Sequence, residues 1–163
     1  MNTREYNIVV RQWAPHLLRF ANRNMNSMDI AKDLVQDAFE VLWNKKDEVE
    51  AEKAKQFLFT IVYRKGIDMF RREGKLTDIQ EAHLEIGSTA ASFETTYSDR
   101  ELLQKAIAEL PAQHKQLIML RDLEGYDYKE IEKITGLNES QVKVYLFRAR
   151  KMLKEAITRI EAL

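Results

Sequence analysis

The stretch YDYKEIEKITGLNESQVKVYLFRARKML, residues 126–153, carries the densest chemical signal in the chain. Asp127 and Glu130 stand at capping-box spacing, where each side chain can satisfy a backbone N–H at a helix start. Ile131 and Ile134 follow as apolar positions. Gly136 then supplies the residue suited to the left-handed conformation just past a helix end, and Leu137 can pack back on the preceding turn. Asn138 and Gln141 restart the chain. Val142, Leu146, Ala149 and Leu153 repeat at i, i+4, i+7 and i+11, which turns them inward and leaves Ser140, Lys143, Val144, Phe147, Arg148 and Lys151 outside or at the margin. Two helices at a tight turn, the second bearing outward cations, are the pattern of a helix-turn-helix that lays its second helix in the major groove of DNA. An ordinary helical hairpin shares this punctuation, so the rest of the chain has to decide between them.

A second cationic set lies at residues 61–75, where Arg64, Lys65, Arg71, Arg72 and Lys75 outweigh Asp68 and Glu73. Helical spacing brings Arg64, Arg71, Arg72 and Lys75 near one another, a stripe that could hold phosphates or simply keep a helix in solution. The formal net charge is +0, but the charge is segregated: residues 28–52 and 73–99 are acidic, whereas 61–75 and the C-terminal stretch with Lys143, Arg148, Arg150, Lys151, Lys154 and Arg159 are basic. Phosphate neutralisation needs a local basic footprint and not a basic total.

The elements that must position these residues are helical. In 163 residues there are five Gly and two Pro against 45% hydrophobic and 32% charged, which suits helices better than a turn-rich β protein. The periodicity predicts an all-α chain of two small helical domains, with helices over 3–24, 28–44 and 52–72, then 99–109, 111–122, 127–135 and 139–160. Between them, Gly74, Gly87 and the run STAASFETTYSD break the pattern and read as a flexible linker over 74–98. In the second helix Ile30, Leu34, Ala38, Val41 and Leu42 form an apolar stripe; in the third, Leu58, Ile61, Val62 and Met69 turn to a core.

Catalysis finds little support. The chain has no Cys, its histidines His16, His83 and His114 are scattered, and neither a phosphate-binding Gly loop nor an HExxH pair is present, so no catalytic residue, metal or cofactor is expected. The N-terminal MNTREYNIVVRQWAPHL lacks the basic-then-apolar order of a signal peptide and no apolar run approaches bilayer length, so the expected location is cytoplasmic, without membrane insertion.

Two further stretches decide the question left by the hairpin. AKDLVQDAFEVLWNK, 31–45, resembles the polymerase-binding helix of extracytoplasmic-function (ECF) sigma factors, and FLFTIVYRKGIDMFRR, 57–72, resembles their promoter-melting helix. LQKAIAELPAQHKQLIMLRDLEGYDYKEI, 103–131, looks like the start of their C-terminal domain, so three motifs stand in the family's order and cover nearly everything outside the linker.

The resemblance implies a sigma region 2 domain over 1–73, an acidic linker over 74–98 and a sigma region 4 helix-turn-helix domain over 99–163. It implies a non-enzymatic factor that binds core RNA polymerase through a coiled coil of the largest subunit and directs initiation at promoter DNA, with an anti-sigma factor as antagonist by family habit. Carried onto this sequence, the docking face is Asp33, Gln36, Asp37 and Glu40, with Phe39 and Trp43 divided between core and interface and the core favoured for Trp43. The downstream promoter element falls to the loop 46–54, with Lys53 and Lys55 as candidates, and to Arg64, Lys65, Arg71 and Arg72. The upstream element falls to Ser140, Lys143, Val144 and Arg148, with Lys151 or Arg150 on phosphates. The linker's Glu73, Asp78, Glu81, Glu85, Glu94 and Asp99 could imitate a phosphate chain in a polymerase channel.

This sequence departs from the family pattern at Phe57, where Trp is usual, at Arg64, where Asn is usual, and at Glu132, where a small residue is common. The competing reading is a helix-turn-helix regulator that acts without joining polymerase; it accounts for the C-terminal half alone.

Overall fold

A computed structural model describes residues 1–72 and 98–163. Those residues form seven α-helices and no strand. The first unit comprises α1 (Thr3–Met25), α2 (Met28–Asn44), a single 3-10 turn (Ala51–Lys53) and α3 (Ala54–Arg72). The second comprises α4 (Asp99–Ala108), α5 (Ala112–Ile118), a π-type turn (Met119–Leu123), α6 (Tyr128–Thr135) and α7 (Glu139–Glu161). Each lies close to a helix the periodicity predicts. The predicted linker lies outside the described residues except for Ser98, whose hydroxyl accepts from the Glu101 N–H at 3.2 Å and caps α4.

Local chemistry sets the ends. Asn2 and Glu5 form a reciprocal capping box on α1. Asn26 closes that helix at φ 52°, a left-handed value that Asn tolerates better than most residues, and Ser27 caps α2 at once. The two helices therefore reverse direction over two residues and pack side by side.

The interior of the first unit is built by Leu17 and Phe20 of α1, Leu34, Ala38 and Leu42 of α2, and Leu58, Phe59 and Val62 of α3, all buried. Ile30, Val41, Ile61 and Met69, expected in that core, are only partly buried. Ile30, Ile61 and Met69 pack against the core from its edge, and Val41 and Ile61 also line a surface cleft.

Where the sequence suggested one helix over 111–122, α5 instead widens into the π turn. The Glu124 N–H bonds to the Met119 carbonyl at 2.9 Å, and Gly125 at φ 79° lets Tyr126 turn back so that its N–H reaches the Leu120 carbonyl at 3.0 Å. This turn swings Tyr126 inward, where it is buried.

The two units pack against each other: α3 lies along α6, and α1 touches α5. One hydrophobic cluster runs through both, from Leu17 and Phe59 to Leu117, Ile131 and Leu146. A smaller cluster of Leu102, Ala106, Ala156 and Ile160 fastens α4 to the end of α7. No helix among the described residues is long and apolar enough to cross a membrane.

Candidate nucleic-acid and polymerase interfaces

Both halves of the helix-turn-helix start on boxes of the predicted kind. The Asp127 carboxylate accepts from the Glu130 N–H at 2.8 Å while Glu130 accepts from the Asp127 N–H at 3.2 Å. Those amide bonds, with Glu130 foremost, hold the Asp127 carboxyl below its usual range. Asn138 and Gln141 repeat the exchange at 2.9 and 3.0 Å at the head of α7. Between them Gly136 sits at φ 80°, its N–H on the Glu132 carbonyl at 2.8 Å.

With both ends fixed, α7 buries Val142, Leu146 and Ala149 against Ile131 and Ile134 of α6. Leu153 is only half-buried. Ser140, Lys143, Val144, Phe147, Arg148 and Lys151 are all exposed, and their spacing puts them on one stripe of the helix. Phe147 is 72% exposed, the most exposed aromatic side chain among the described residues. An exposed ring beside Val144 in a row of donors gives the stripe an apolar tip, the feature that a thymine methyl would meet. Its lack of a place in the core period of α7 is the sequence signal for this exposure.

Lys143 Nζ lies 2.9 Å from Glu139 Oε1, one turn earlier, which lowers the Glu139 carboxyl and raises the Lys143 ammonium. Both are exposed, so a phosphate can replace the carboxylate at small cost. Arg150 is different: it is held by Asp122 and faces away from the stripe, which leaves Lys151 as the phosphate candidate of the two.

On α3, Arg64, Arg71 and Arg72 are exposed along one side. Lys65 turns elsewhere, toward Asp37 of α2, with Nζ 4.0 Å from Oδ2. It thus borders the acidic face of α2 and stands apart from the other three. Beside Arg64 opens a cleft of about 630 Å3 between the loop 46–54, the first half of α3 and Val41 of α2. Phe57 and Ile61 give it an apolar wall, Thr60 and Gln56 polar groups, and its rim carries Lys45, Lys53 and Arg64 together with the carboxylates of Glu48 and Glu50. The N-terminal amine braces the loop from behind by donating to the carbonyls of Lys46 and, at 3.4 Å, Val49. Aromatic wall, polar groups and cations together suit a base with its phosphate. Lys133 of α6 closes the cleft's remaining side, and the Arg64 guanidinium donates to the Lys133 carbonyl at 3.2 Å. Lys55 points away from the cleft, toward the second unit.

Asp33, Gln36, Asp37 and Glu40 are exposed in one stripe of α2. Phe39, which the sequence divides between core and interface, is buried. Trp43 is not: it is 40% exposed and continues the acidic stripe by one turn, edge-on to Tyr6 at 4.9 Å with Lys46 4.2 Å above its ring. The preference for a core Trp43 is therefore corrected; the helix ends just beyond it, at Asn44, too early for a third layer to cover the ring. Tyr6 donates its hydroxyl to the Phe39 carbonyl at 2.9 Å, and burial, then the charge of Glu40, raises its pKa.

Among the described residues no group of His, Cys, Asp and Glu is arranged to hold a metal ion. The buried His114 is packed edge-on against Tyr145 at 5.4 Å, and neither ring nitrogen has a hydrogen-bond partner among the described residues.

Compared with known proteins, residues 9–76 match the pattern of sigma-70 region 2 and residues 100–153 that of sigma-70 region 4. The RNA polymerase sigma factor SigV of Bacillus subtilis is 31% identical over 142 residues, covering 86% of this chain and 84% of SigV. The sigma factor YlaC of the same organism is 28% identical over 160 residues, with 91% and 90% covered. Among solved structures, the sigma factor RpoE of Bartonella quintana, in complex with the anti-sigma factor NepR, superposes with a TM-score of 0.72 at 26% identity, over 96% of this chain and 98% of that one.

Proposed function

The chain belongs to the ECF group of sigma factors, which direct RNA polymerase to promoters to initiate transcription, and on that premise we propose how its surfaces divide the task. The first unit docks on the coiled coil of the largest polymerase subunit through Asp33, Gln36, Asp37 and Glu40, with Trp43 adding apolar area at the end of the stripe. Acidic groups facing a basic partner speed encounter and set orientation, while the ring supplies persistence.

The cleft beside α3 takes an unstacked base of the downstream element against Phe57, and Lys53, Arg64, Arg71 and Arg72 hold the adjoining backbone. Lys65 belongs to the docking side through Asp37. The second unit reads the upstream element with Ser140, Lys143, Val144, Phe147 and Arg148, and Lys151 sets register on a phosphate. The factor catalyses nothing itself and acts in the cytoplasm, where polymerase is. An anti-sigma factor holds the two units together when the regulon is silent; the likeness of the paired arrangement to RpoE bound to NepR supports this part.

The observation that carries the reading is the cleft, because it joins an aromatic wall to the cations Lys53 and Arg64 at the loop and helix that the resemblance assigns to melting. Run-off transcription with core polymerase, the purified chain and a promoter library tests it. Selective start sites sharing two spaced elements are expected. A regulator independent of polymerase would bind duplex DNA alone and leave the start sites unchanged; the region 2 match over the first unit counts against it.

A further inference from the structure

Lys55 leaves the first unit and ends inside the second. Its ammonium stands 4.6 Å from the ring centre of Trp13 on one side and 4.7 Å from that of Tyr126 on the other. It donates to the Glu124 carbonyl at 3.3 Å and lies 3.9 Å from the Glu124 carboxylate. His16 Nδ1 approaches the same carboxylate oxygen at 3.5 Å. Beneath, Phe59 meets Tyr126 edge-on at 5.7 Å. A cation between two rings, tied to a carboxylate that is itself largely buried, is a directional contact and not a casual surface pair. It joins α1 and α3 of one unit to the π turn of the other.

We propose that this contact is a clasp which keeps the free factor closed and silent, by holding α6 against the DNA-reading side of α3 while leaving the polymerase-docking stripe of α2 open. The inference rests on the reading of α3 and its cleft given above. In the closed form Lys133 forms one side of the cleft and its carbonyl takes up one Arg64 nitrogen, so α6 crowds the approach of a base and its phosphate to these groups. Asp33, Gln36, Asp37 and Glu40 are meanwhile exposed, so polymerase can meet the closed molecule.

The clasp is also built to let go. The Tyr126 hydroxyl, buried under it, has no hydrogen-bond partner among the described residues, and Lys115 is partly buried with its ammonium on the Arg23 carbonyl at 3.3 Å, where desolvation lowers its pKa. Separation of the units returns both groups to water. The closed state thus combines a shared apolar cluster with this directional contact and with polar groups left imperfectly satisfied, and polymerase opens it by binding the separated units more tightly.

The chain has no cysteine, so a lock can be placed cleanly. His16→Cys with Glu124→Cys, bridged by a reducible bis-maleimide, fixes the units together at the clasp, away from both the cleft and the docking stripe. The bridged chain should still be captured by core polymerase yet yield at least tenfold fewer run-off transcripts, and reduction should restore them. Spin labels at Lys32→Cys and Glu155→Cys then report the closure itself. A single short distance is expected in the free chain, and Glu124→Gln should broaden and lengthen it. Transcription by the bridged chain at the level of the reduced one would overturn the proposal, as would a free chain already broad in distance and unmoved by Glu124→Gln. Loss of capture by polymerase would overturn the claim that the closed form can dock. If the reduced chain also starts no transcripts, the assignment of the cleft fails instead, and the distances alone decide on the clasp.

Discussion

Arg150 and Asp122 meet through two parallel contacts, Nη2 to Oδ1 at 2.8 Å and Nε to Oδ2 at 3.3 Å, and so tie α7 to the π turn. Asp122 raises the Arg150 pKa, chiefly by the hydrogen bond. The pair is half-exposed, so its contribution is small, roughly 0.2–1 kcal/mol. Arg150→Ala should lower stability by about that much in urea titrations and leave the salt dependence of DNA binding unchanged. Lys151→Ala should do the reverse, with stability kept and the slope of log affinity against log salt shallower by about 1. A changed slope for Arg150→Ala would return that residue to the DNA surface.

Phe147 touches no core, so its removal isolates recognition from folding. Phe147→Ala should leave the thermal midpoint in place and weaken binding of the upstream duplex by about 1 kcal/mol, the lower end for losing one base pair's contribution. The loss should fall on a single thymine-bearing position in a substitution scan of the duplex. Equal weakening on every sequence would mean that the ring only rests on the backbone.

Gly136 occupies φ 80° with open space where a Cβ would stand. Ala there meets no neighbour, so any cost is backbone strain alone. Gly136→Ala should destabilise the second unit by about 1–2 kcal/mol, read from its unfolding transition. Asn, which tolerates the left-handed region, should recover part of that loss. If Ala is neutral, the turn must relax out of its left-handed geometry.

His114 is pulled down to about 4, first by burial and second by the charge of Arg148. An unfolded histidine titrates near 6.5. Between those values the unfolded chain binds a proton that the folded chain refuses, so stability rises with pH through this window and is fully present above it. From pH 7.5 to 4.5 the fall should be on the order of 2 kcal/mol. His114→Phe keeps the edge contact to Tyr145 and should flatten the dependence. The carboxyls of Asp127 and Glu139, both depressed, add their own losses only at lower pH. A variant that keeps the full wild-type slope would show that another group carries it.

What the sequence made legible was whatever local chemistry decides. Capping boxes at Asp127 and Asn138, the glycine after α6 and the inward period of Val142, Leu146 and Ala149 are written in adjacent residues, and each appears where expected. Residues whose placement depends on a distant partner were harder to read. Trp43 passed for core because nothing in its own helix says that no third layer covers it. Lys55 and Lys65, neighbours of the cationic stripe of α3 in sequence, turn toward Glu124 and Asp37, sixty-nine and twenty-eight positions away. Arg150 is drawn off α7's outer stripe in the same way by Asp122. The wide turn at Met119–Leu123 also escaped, since its i+5 hydrogen bond has no residue signature comparable to a cap.

Phe57 offers the sharpest test of the cleft, because it forms the apolar wall while only partly buried at the edge of the core. Leu58 and Phe59, its buried neighbours, carry the packing of that turn. Stacking of a base on an aromatic ring contributes about 1–3 kcal/mol, so Phe57→Ala should cut open-complex formation by roughly 5- to 150-fold. Capture by core polymerase and binding of the upstream duplex should stay as they were. Phe57→Trp, which restores the side chain usual in the family, should keep or raise the rate, since a larger ring stacks over more area. A premelted template, with the downstream element already single-stranded, should shrink but not abolish the defect, because the stacking site is missing in both cases while unpairing is required in only one. If Phe57→Ala opens the natural promoter as fast as the wild type, the base goes elsewhere and the cleft is not its receptor.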